Sequence, residues 1–105
     1  MTQPSPDVLA ALADPTRWRV LSLLGERGGG TATSIAAELP VSRPAVIKHL
    51  AVLDRAGLVE SRRAGREVRF SVRPERLEMT ARDLASLASA WDSRLDAIKR
   101  LAEQD

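Results

Sequence analysis

The sequence predicts a mainly α-helical domain of about five helices that carries a small, two-stranded β-hairpin. Three observations support this fold class. Apolar residues recur at helical spacing between Ser42 and Gly57, behind an N-cap serine. Apolar and polar side chains alternate over residues 59–72 around a Gly-Arg turn. From residue 77 to residue 102, apolar positions follow three- and four-residue steps, which predicts a long final helix.

The chain length and composition set the domain count. The 105 residues suit one domain, which we place at 7–105 behind a disordered segment, 1–6. The sequence has no cysteine, which excludes disulfides and thiolate metal sites and fits an intracellular protein. The apolar runs are too short to span a bilayer, and the polar N-terminus has no signal-peptide pattern. We therefore expect a cytoplasmic protein of bacterial type with no membrane partner.

Positive charge concentrates in the middle third of the chain. The net charge is only +2. Residues 42–76, however, hold nine basic and four acidic side chains, which gives +5. The segments on either side are slightly negative, with −1 over 1–41 and −2 over 77–105. The middle third would therefore meet a polyanion, and a solvated basic surface is the less favoured alternative.

The first third reads as short helices. A helix that starts at Pro6 or Asp7 precedes an Asp14-Pro15 pair, which is a helix restart signal. The next helix is predicted over 16–25, with Trp18 on a wide apolar face that would be buried on several sides.

A connector and a third helix come next. Residues 28–30 are three glycines and are predicted to form a flexible connector. The third helix begins at Thr31 or Thr33, and Pro40 ends it because proline disfavours helical geometry in the preceding residue. A tight turn then leads into the helix that Ser42 caps. This order of helix, short turn and helix is the helix-turn-helix arrangement.

The helix over about 42–56 has an apolar back and a basic front. Val46, Leu50 and Leu53 form its apolar stripe, and Gly57 follows as a left-handed C′ residue. The opposite face carries polar side chains that suit a DNA recognition helix. These are Arg43, Lys48 and His49.

The hairpin over 59–72 would form the wing of a winged helix-turn-helix fold. Val68, Phe70 and Val72 are predicted to point inward and pack on the helices. Four arginines crowd the strands and the tip, where they would hold phosphates or enter a minor groove, or would only keep the ribbon hydrated. They are Arg62, Arg63, Arg66 and Arg69.

The last helix is predicted over about 77–102, with a break near Met79. Its apolar stripe is longer than a small domain can cover. We expect it to form a dimer seam with the first helix, although packing within one chain is the alternative. The predicted interface residues are Val8, Leu9, Leu12, Leu84, Leu87, Ala88, Trp91, Leu95 and Ile98.

With these motifs in place, the chain resembles the ArsR/SmtB family of bacterial winged-helix repressors over residues 8–100. The resemblance rests on 12–17 (LADPTR), 42–50 (SRPAVIKHL), 53–59 (LDRAGLV) and 63–68 (RAGREV). It implies a homodimer that dimerises through its terminal helices and places two recognition helices in successive major grooves of double-stranded DNA. It further implies an inverted-repeat operator, usually overlapping the protein's own promoter, whose occupation excludes RNA polymerase.

Individual roles follow from this resemblance and from contact chemistry. Arg43, Ile47 and His49 would face the groove, with Arg43 pairing with guanine. Ile47 stands where the family often has a small polar residue, and it would either contact a thymine methyl group or turn partly into the core. Ser42 and Lys48 are placed for phosphate. The family often has glycine where this chain has Pro40 in the turn.

The family's metal sites cannot be assembled from these residues. Residues 38–42, which correspond to its Cys-x-Cys site, contain no thiol, and the final helix offers Asp83, Asp92 and Asp96 but no histidine. Soft and borderline ions prefer thiolate and imidazole ligands, so we expect no metal and no cofactor.

Three other functions compete with DNA repression. An enzyme is disfavoured, because one histidine and scattered carboxylates cannot build a catalytic set. A regulator of the same fold that responds to a small organic ligand remains open. So does a winged-helix module that binds protein, although such modules usually lack a basic helix and wing together. The sequence predicts a metal-independent repressor and leaves open whether it regulates its own gene.

Overall fold

A computed structural model describes residues 3–104, which form five helices and one three-stranded antiparallel sheet. The helices are α1 (Pro6–Leu12), α2 (Pro15–Arg27), α3 (Ala32–Ala36), α4 (Arg43–Arg55) and α5 (Pro74–Ala102). The strands are β1 (Gly30–Thr31), β2 (Val59–Ala64) and β3 (Glu67–Val72), in the sheet order β1-β3-β2. Pro6 belongs to α1, and residues 1 and 2 of the predicted disordered segment lie outside the described residues.

Asp14 joins α1 to α2. Its Oδ1 accepts hydrogen bonds from the backbone N–H groups of Thr16 (2.8 Å) and Arg17 (3.1 Å), which confirms the predicted restart. The Arg17 side chain reaches back and donates to the carbonyl oxygens of Ala11 (2.9 Å) and Ala10 (3.0 Å). These contacts satisfy the last carbonyls of α1 and the first amides of α2 together.

Helix α2 runs two residues past its predicted end at Gly25. It ends at Arg27 and is capped by Gly28, which has the left-handed φ of 69° that favours glycine. The prediction that Trp18 would be buried is wrong, because 58% of its surface is exposed. Trp18 stands on the side of α2 that faces away from Val20 and Leu24, which are buried in the core.

The core lies where α2, α3 and α4 meet the first residues of β2. Its largest fully buried side chains are Val8, Val20, Leu24, Ile35, Val46, Leu50, Leu53, Leu58 and Val59. The predicted stripe of α4 therefore faces inward, which leaves the opposite side of that helix toward solvent.

Of the two predicted caps, Thr31 is the N-cap of α3, and the helix ends earlier than predicted. Thr31 and Ser34 form a reciprocal capping box. The Glu38 N–H donates to the Ile35 carbonyl, three residues back, which is the tighter hydrogen-bond pattern of a 3₁₀ turn. The α-helical pattern of α3 therefore ends before Pro40 is reached. Six residues, 37–42, then lead into α4.

Both predicted ends of α4 are confirmed. The Ser42 hydroxyl accepts a hydrogen bond from the Ala45 N–H (3.3 Å). At the other end, the Leu58 N–H donates to the Leu53 carbonyl (3.0 Å) and the Gly57 N–H to the Asp54 carbonyl (2.9 Å). This pair of bonds is a Schellman motif, and Gly57 supplies its left-handed residue with φ 76°.

The sheet has one strand more than predicted. β2 and β3 pair as expected, with Val59 opposite Val72 and Ala64 opposite Glu67. The prediction that Gly30 belongs to a flexible connector is wrong, because Gly30 pairs with Phe70 of β3. Only glycine fits there without rearrangement, since a Cβ on Gly30 would lie 2.9 Å from the Ser34 Oγ.

The inward side chains of β3 are only partly covered. Phe70 and Val72 are half-buried and pack against the core. Val68 is 41% exposed, so the prediction that it packs on the helices is wrong. It lies close to the hairpin turn, at the end of the wing that extends past the core.

Helix α5 starts three residues before its predicted start and is continuous. The predicted break near Met79 is absent: the Thr80 hydroxyl donates to the Arg76 carbonyl (2.8 Å), and this buried polar group is satisfied without interrupting the helix. Leu77 packs against the core, whereas the later large apolar residues are exposed. The molecule is 71 Å long. Across residues 3–104, no helix is both long and apolar enough to cross a membrane.

Candidate nucleic-acid interface

An open cleft of about 400 Å³ separates the first turns of α3 and α4 from the tip of the wing. It combines basic side chains with an apolar floor. Its lining residues are Thr31, Ala32, Thr33, Arg43, Ile47, Arg66, Glu67, Val68 and Phe70. The cleft therefore brings together the N-terminal half of the predicted recognition helix and the tip arginine of the predicted wing.

Arg43 is the first residue of α4 and is held in place from α3. Its Nε–H donates to the Thr33 Oγ1 at 3.0 Å. This is the only hydrogen bond of the Arg43 side chain within the part of the chain that the structure describes. Both terminal nitrogens of the guanidinium thus remain available to an acceptor outside the protein.

Ile47 lies one turn after Arg43 on the same side of α4. It is 44% exposed and lines the cleft, and it is not among the side chains that pack against the core. Lys48 is exposed on the side of the helix opposite the core. The Ser42 hydroxyl is already engaged as the N-cap acceptor.

His49 does not share the cleft with Arg43 and Ile47. At 3.6 residues per turn it points almost opposite to Ile47, and it is not among the residues that line the cleft. The pKa of the Asp14 carboxyl is lowered from 3.8, chiefly by the hydrogen bond from the Arg17 N–H, and a protonated His49 would lower it further. The structure therefore separates His49 from the two residues with which the sequence analysis groups it.

The four wing arginines fall into two sets. Arg62 lies directly opposite Arg69, so both project from the same face of the hairpin. Arg63 lies opposite Val68 and shares the face that lines the cleft, while Arg66 sits in the turn at the cleft's edge. Strand alternation places Arg62 and Arg69 on the other face.

The predicted dimer residues are mostly exposed on one side of α5. Val8 differs, since it is 1% exposed and belongs to the core of its own chain. Leu12 is also partly covered by that core. The remaining predicted residues are exposed, and they are Leu9, Leu84, Leu87, Ala88, Trp91, Leu95 and Ile98.

Trp91 lies at the centre of the exposed stripe of α5. The guanidinium carbon of Arg94 is 5.3 Å from the centroid of its ring, which is within range of a cation–π contact.

Among residues 3–104, no cluster of three or more histidine, cysteine or acidic side chains is placed to hold a metal ion.

Six residues that line the cleft are absent from the predicted site, and they are Thr31, Ala32, Thr33, Glu67, Val68 and Phe70. Among them, Thr33 is predicted only as a cap and Val68 as a core residue. The signal for Val68 was its position beside the turn, where a hairpin extends past the helices. No local pattern marked Thr33, since its contact with Arg43 joins residues ten positions apart.

Two helices joined by a short turn, the second exposed beside a β-hairpin, define the winged helix-turn-helix class of DNA-binding proteins. A family model described as a helix-turn-helix domain matches residues 12–62. The HTH-type transcriptional regulator Rv2034 of Mycobacterium tuberculosis is 42% identical, and the match covers 99% of this chain and 94% of that protein.

Two further proteins are similar. A probable mercury resistance operon repressor of Streptomyces lividans is 40% identical over 77% of this chain and 70% of its own length. An ArsR-like transcriptional regulator from Rhodococcus sp. RHA1 has a TM-score of 0.82 and 48% identity, and covers 94% of this chain and 92% of its own. For two other curated relatives the match spans 66% and 55% of their length.

The chain belongs to the ArsR family of transcriptional regulators. This confirms the predicted family, the predicted winged helix-turn-helix fold and the predicted class of DNA-binding regulator. The prediction that the chain is not an enzyme is also confirmed, because the proteins it resembles are transcriptional regulators.

Proposed function

We propose that the chain is a homodimeric, sequence-specific repressor that binds an inverted-repeat operator, overlapping its own promoter, without a metal ion. The observation that carries this proposal is the cleft in which Arg43 and Ile47 face Arg66. A base-reading helix face and a cationic wing tip point into one space that is open to solvent.

The cleft residues divide between base and backbone contacts. Arg43, at the start of α4, pairs with the N7 and O6 of a guanine, and Ile47 packs on a thymine methyl group. Lys48, Arg63 and Arg66 meet phosphates and fix the register of the protein on the duplex. Arg62 and Arg69 contact only flanking backbone, since they project from the far face of the wing.

Dimerisation pairs the exposed stripe of α5 with that of a second copy. An isolated chain would leave the large apolar side chains from Leu84 to Ile98 in water, together with Leu9. A two-fold axis along this stripe buries the same patch on both copies. It also presents two α4 helices to major grooves one helical turn apart, about 34–36 Å, which an inverted repeat requires.

Metal independence follows from ligand chemistry. A relative from Streptomyces lividans is named for mercury resistance, and mercury is a soft ion that selects thiolate ligands. This chain has no cysteine, and its one histidine is half-buried on α4. The proposed repressor therefore responds to another signal or to none.

The test is footprinting on the DNA immediately upstream of the coding region. The expected result is a protected inverted repeat whose half-sites lie one helical turn apart. An Arg43→Ala/Arg66→Ala variant should lose protection, while Arg82→Ala, which removes an exposed arginine of α5, should keep it. Failure of the wild-type protein to bind any duplex at low salt, or protection of a single unpaired half-site, would contradict the proposal.

A further inference from the structure

We propose that Thr33 is a positioning residue that fixes Arg43 for end-on recognition of one guanine in each half-site. The inference rests on the proposed function, in which Arg43 reads bases. It adds a role for a residue of α3 that itself touches no base. The supporting contact is the hydrogen bond from the Arg43 Nε to the Thr33 Oγ1, 3.0 Å long.

The position of Thr33 is set by structure on both sides of it. Thr31 and Ser34 cap α3 reciprocally, and Thr31 also pairs with Arg69 in the sheet. The Thr33 carbonyl accepts the Ala37 N–H at 3.1 Å, which anchors the residue within the helix. The hydroxyl is therefore presented to Arg43 by a framework of backbone hydrogen bonds, although the residue is exposed.

The contact selects one of the two ways in which an arginine meets a guanine. A guanidinium has five N–H donors in one plane, and a side-on pairing uses the Nε. Thr33 already occupies the Nε, which leaves the two terminal nitrogens as a parallel pair. That pair matches the O6 and N7 acceptors on the major-groove edge of guanine.

The same contact reduces the entropy cost of binding. An exposed arginine loses rotamer freedom when it orders, and this opposes association. Because Thr33 orders the Arg43 side chain before DNA binds, part of this rotamer entropy is already lost when the protein folds. The aligned fork of Arg43 then lies one turn from Ile47, so the inferred half-site has a guanine near a thymine methyl group.

The experiment is binding-site selection from a library of random duplexes, with the full-length chain and its variants run in parallel. Thr33→Val keeps the shape of the side chain and removes the acceptor, whereas Thr33→Ser keeps the acceptor. Circular dichroism confirms that each variant folds. The wild-type protein should enrich guanine at one position per half-site, and Arg43→Ala should lose this preference.

Thr33→Val should reduce the preference for guanine at that position about tenfold and leave the other positions unchanged. Thr33→Ser should restore the preference. An unchanged guanine preference in Thr33→Val, or a loss spread evenly over all sequences, would overturn the inference, since the latter outcome marks a phosphate contact. If the wild-type protein enriches no motif, the proposed function fails and the inference fails with it.

Discussion

The side chain of Arg76 lies directly over Gly57. A Cβ added to Gly57 would come within 2.7 Å of the Arg76 Nε and 2.9 Å of its Cδ. Next to this contact, the Arg73 N–H donates to the Leu58 carbonyl at 2.8 Å. The end of α4 and the start of α5 are therefore joined at one point, where the proposed recognition helix meets the proposed dimerisation helix.

Gly57→Ala should destabilise the fold. The left-handed backbone at this residue costs a side chain about 1–2 kcal/mol, and the contact with Arg76 adds to that cost. Gly65→Ala is the matched control, because Gly65 has a similar φ of 65° but open space around it. Urea unfolding should show the larger loss for Gly57→Ala, and adding Arg76→Ala should recover the difference. Equal losses in the free energy of unfolding for the two variants would show that the Arg76 side chain moves aside at no cost.

Asp14 should make the free energy of unfolding sensitive to acid. Hydrogen bonds from the Arg17 and Thr16 amides lower the pKa of its carboxyl in the folded state below 3.8. Its stabilising contribution is therefore complete above that value and is lost as the pH falls through the lowered pKa. Asp14→Asn keeps an N-cap acceptor that does not titrate, so its urea midpoint should fall less on acidification. Equal falls would contradict this role.

Trp91→Ala should convert dimer to monomer without unfolding the chain. Trp91 is 53% exposed and outside the core, and central tryptophans of interfaces often contribute about 2 kcal/mol or more to association. Trp18→Ala removes another exposed tryptophan from a different helix and should leave the dimer intact. Sedimentation at matched concentrations measures both. A Trp91→Ala protein that remains dimeric would exclude this stripe as the seam.

Arg66→Ala should weaken binding to every duplex by a similar factor. Removing one arginine–phosphate contact lowers the slope of log affinity against log salt by about 0.9, because fewer counterions are released. Titrations at several salt concentrations measure this slope, with Arg82→Ala as the control. An unchanged slope in Arg66→Ala would remove the wing tip from the backbone contacts.

Mercuric, arsenite and zinc ions should leave the affinity for DNA unchanged. The chain offers no thiolate to the soft ions and a single imidazole to zinc. Fluorescence anisotropy of a labelled operator, with and without equimolar ion, measures the affinity. Release of DNA at equimolar ion would show a metal site that ligand chemistry did not predict.

The sequence by itself determined the features that depend on local backbone chemistry. The caps at Asp14 and Ser42 and the left-handed Gly57 are set by hydrogen bonds and sterics within a few residues. The two wing strands were predicted to the residue, because alternation and a Gly-Arg turn define a hairpin without reference to the rest of the fold. For the same reason, the winged helix-turn-helix class could be predicted.

The tertiary structure alone decided the features that join distant segments. Gly30 becomes a strand only because β3 lies beside it, and Trp18 and Val68 are exposed because no other element reaches them. Likewise, the contact of Arg43 with Thr33 depends on how α3 docks against α4. Side-chain periodicity defines which face of a helix is apolar, but only packing decides what lies next to each face.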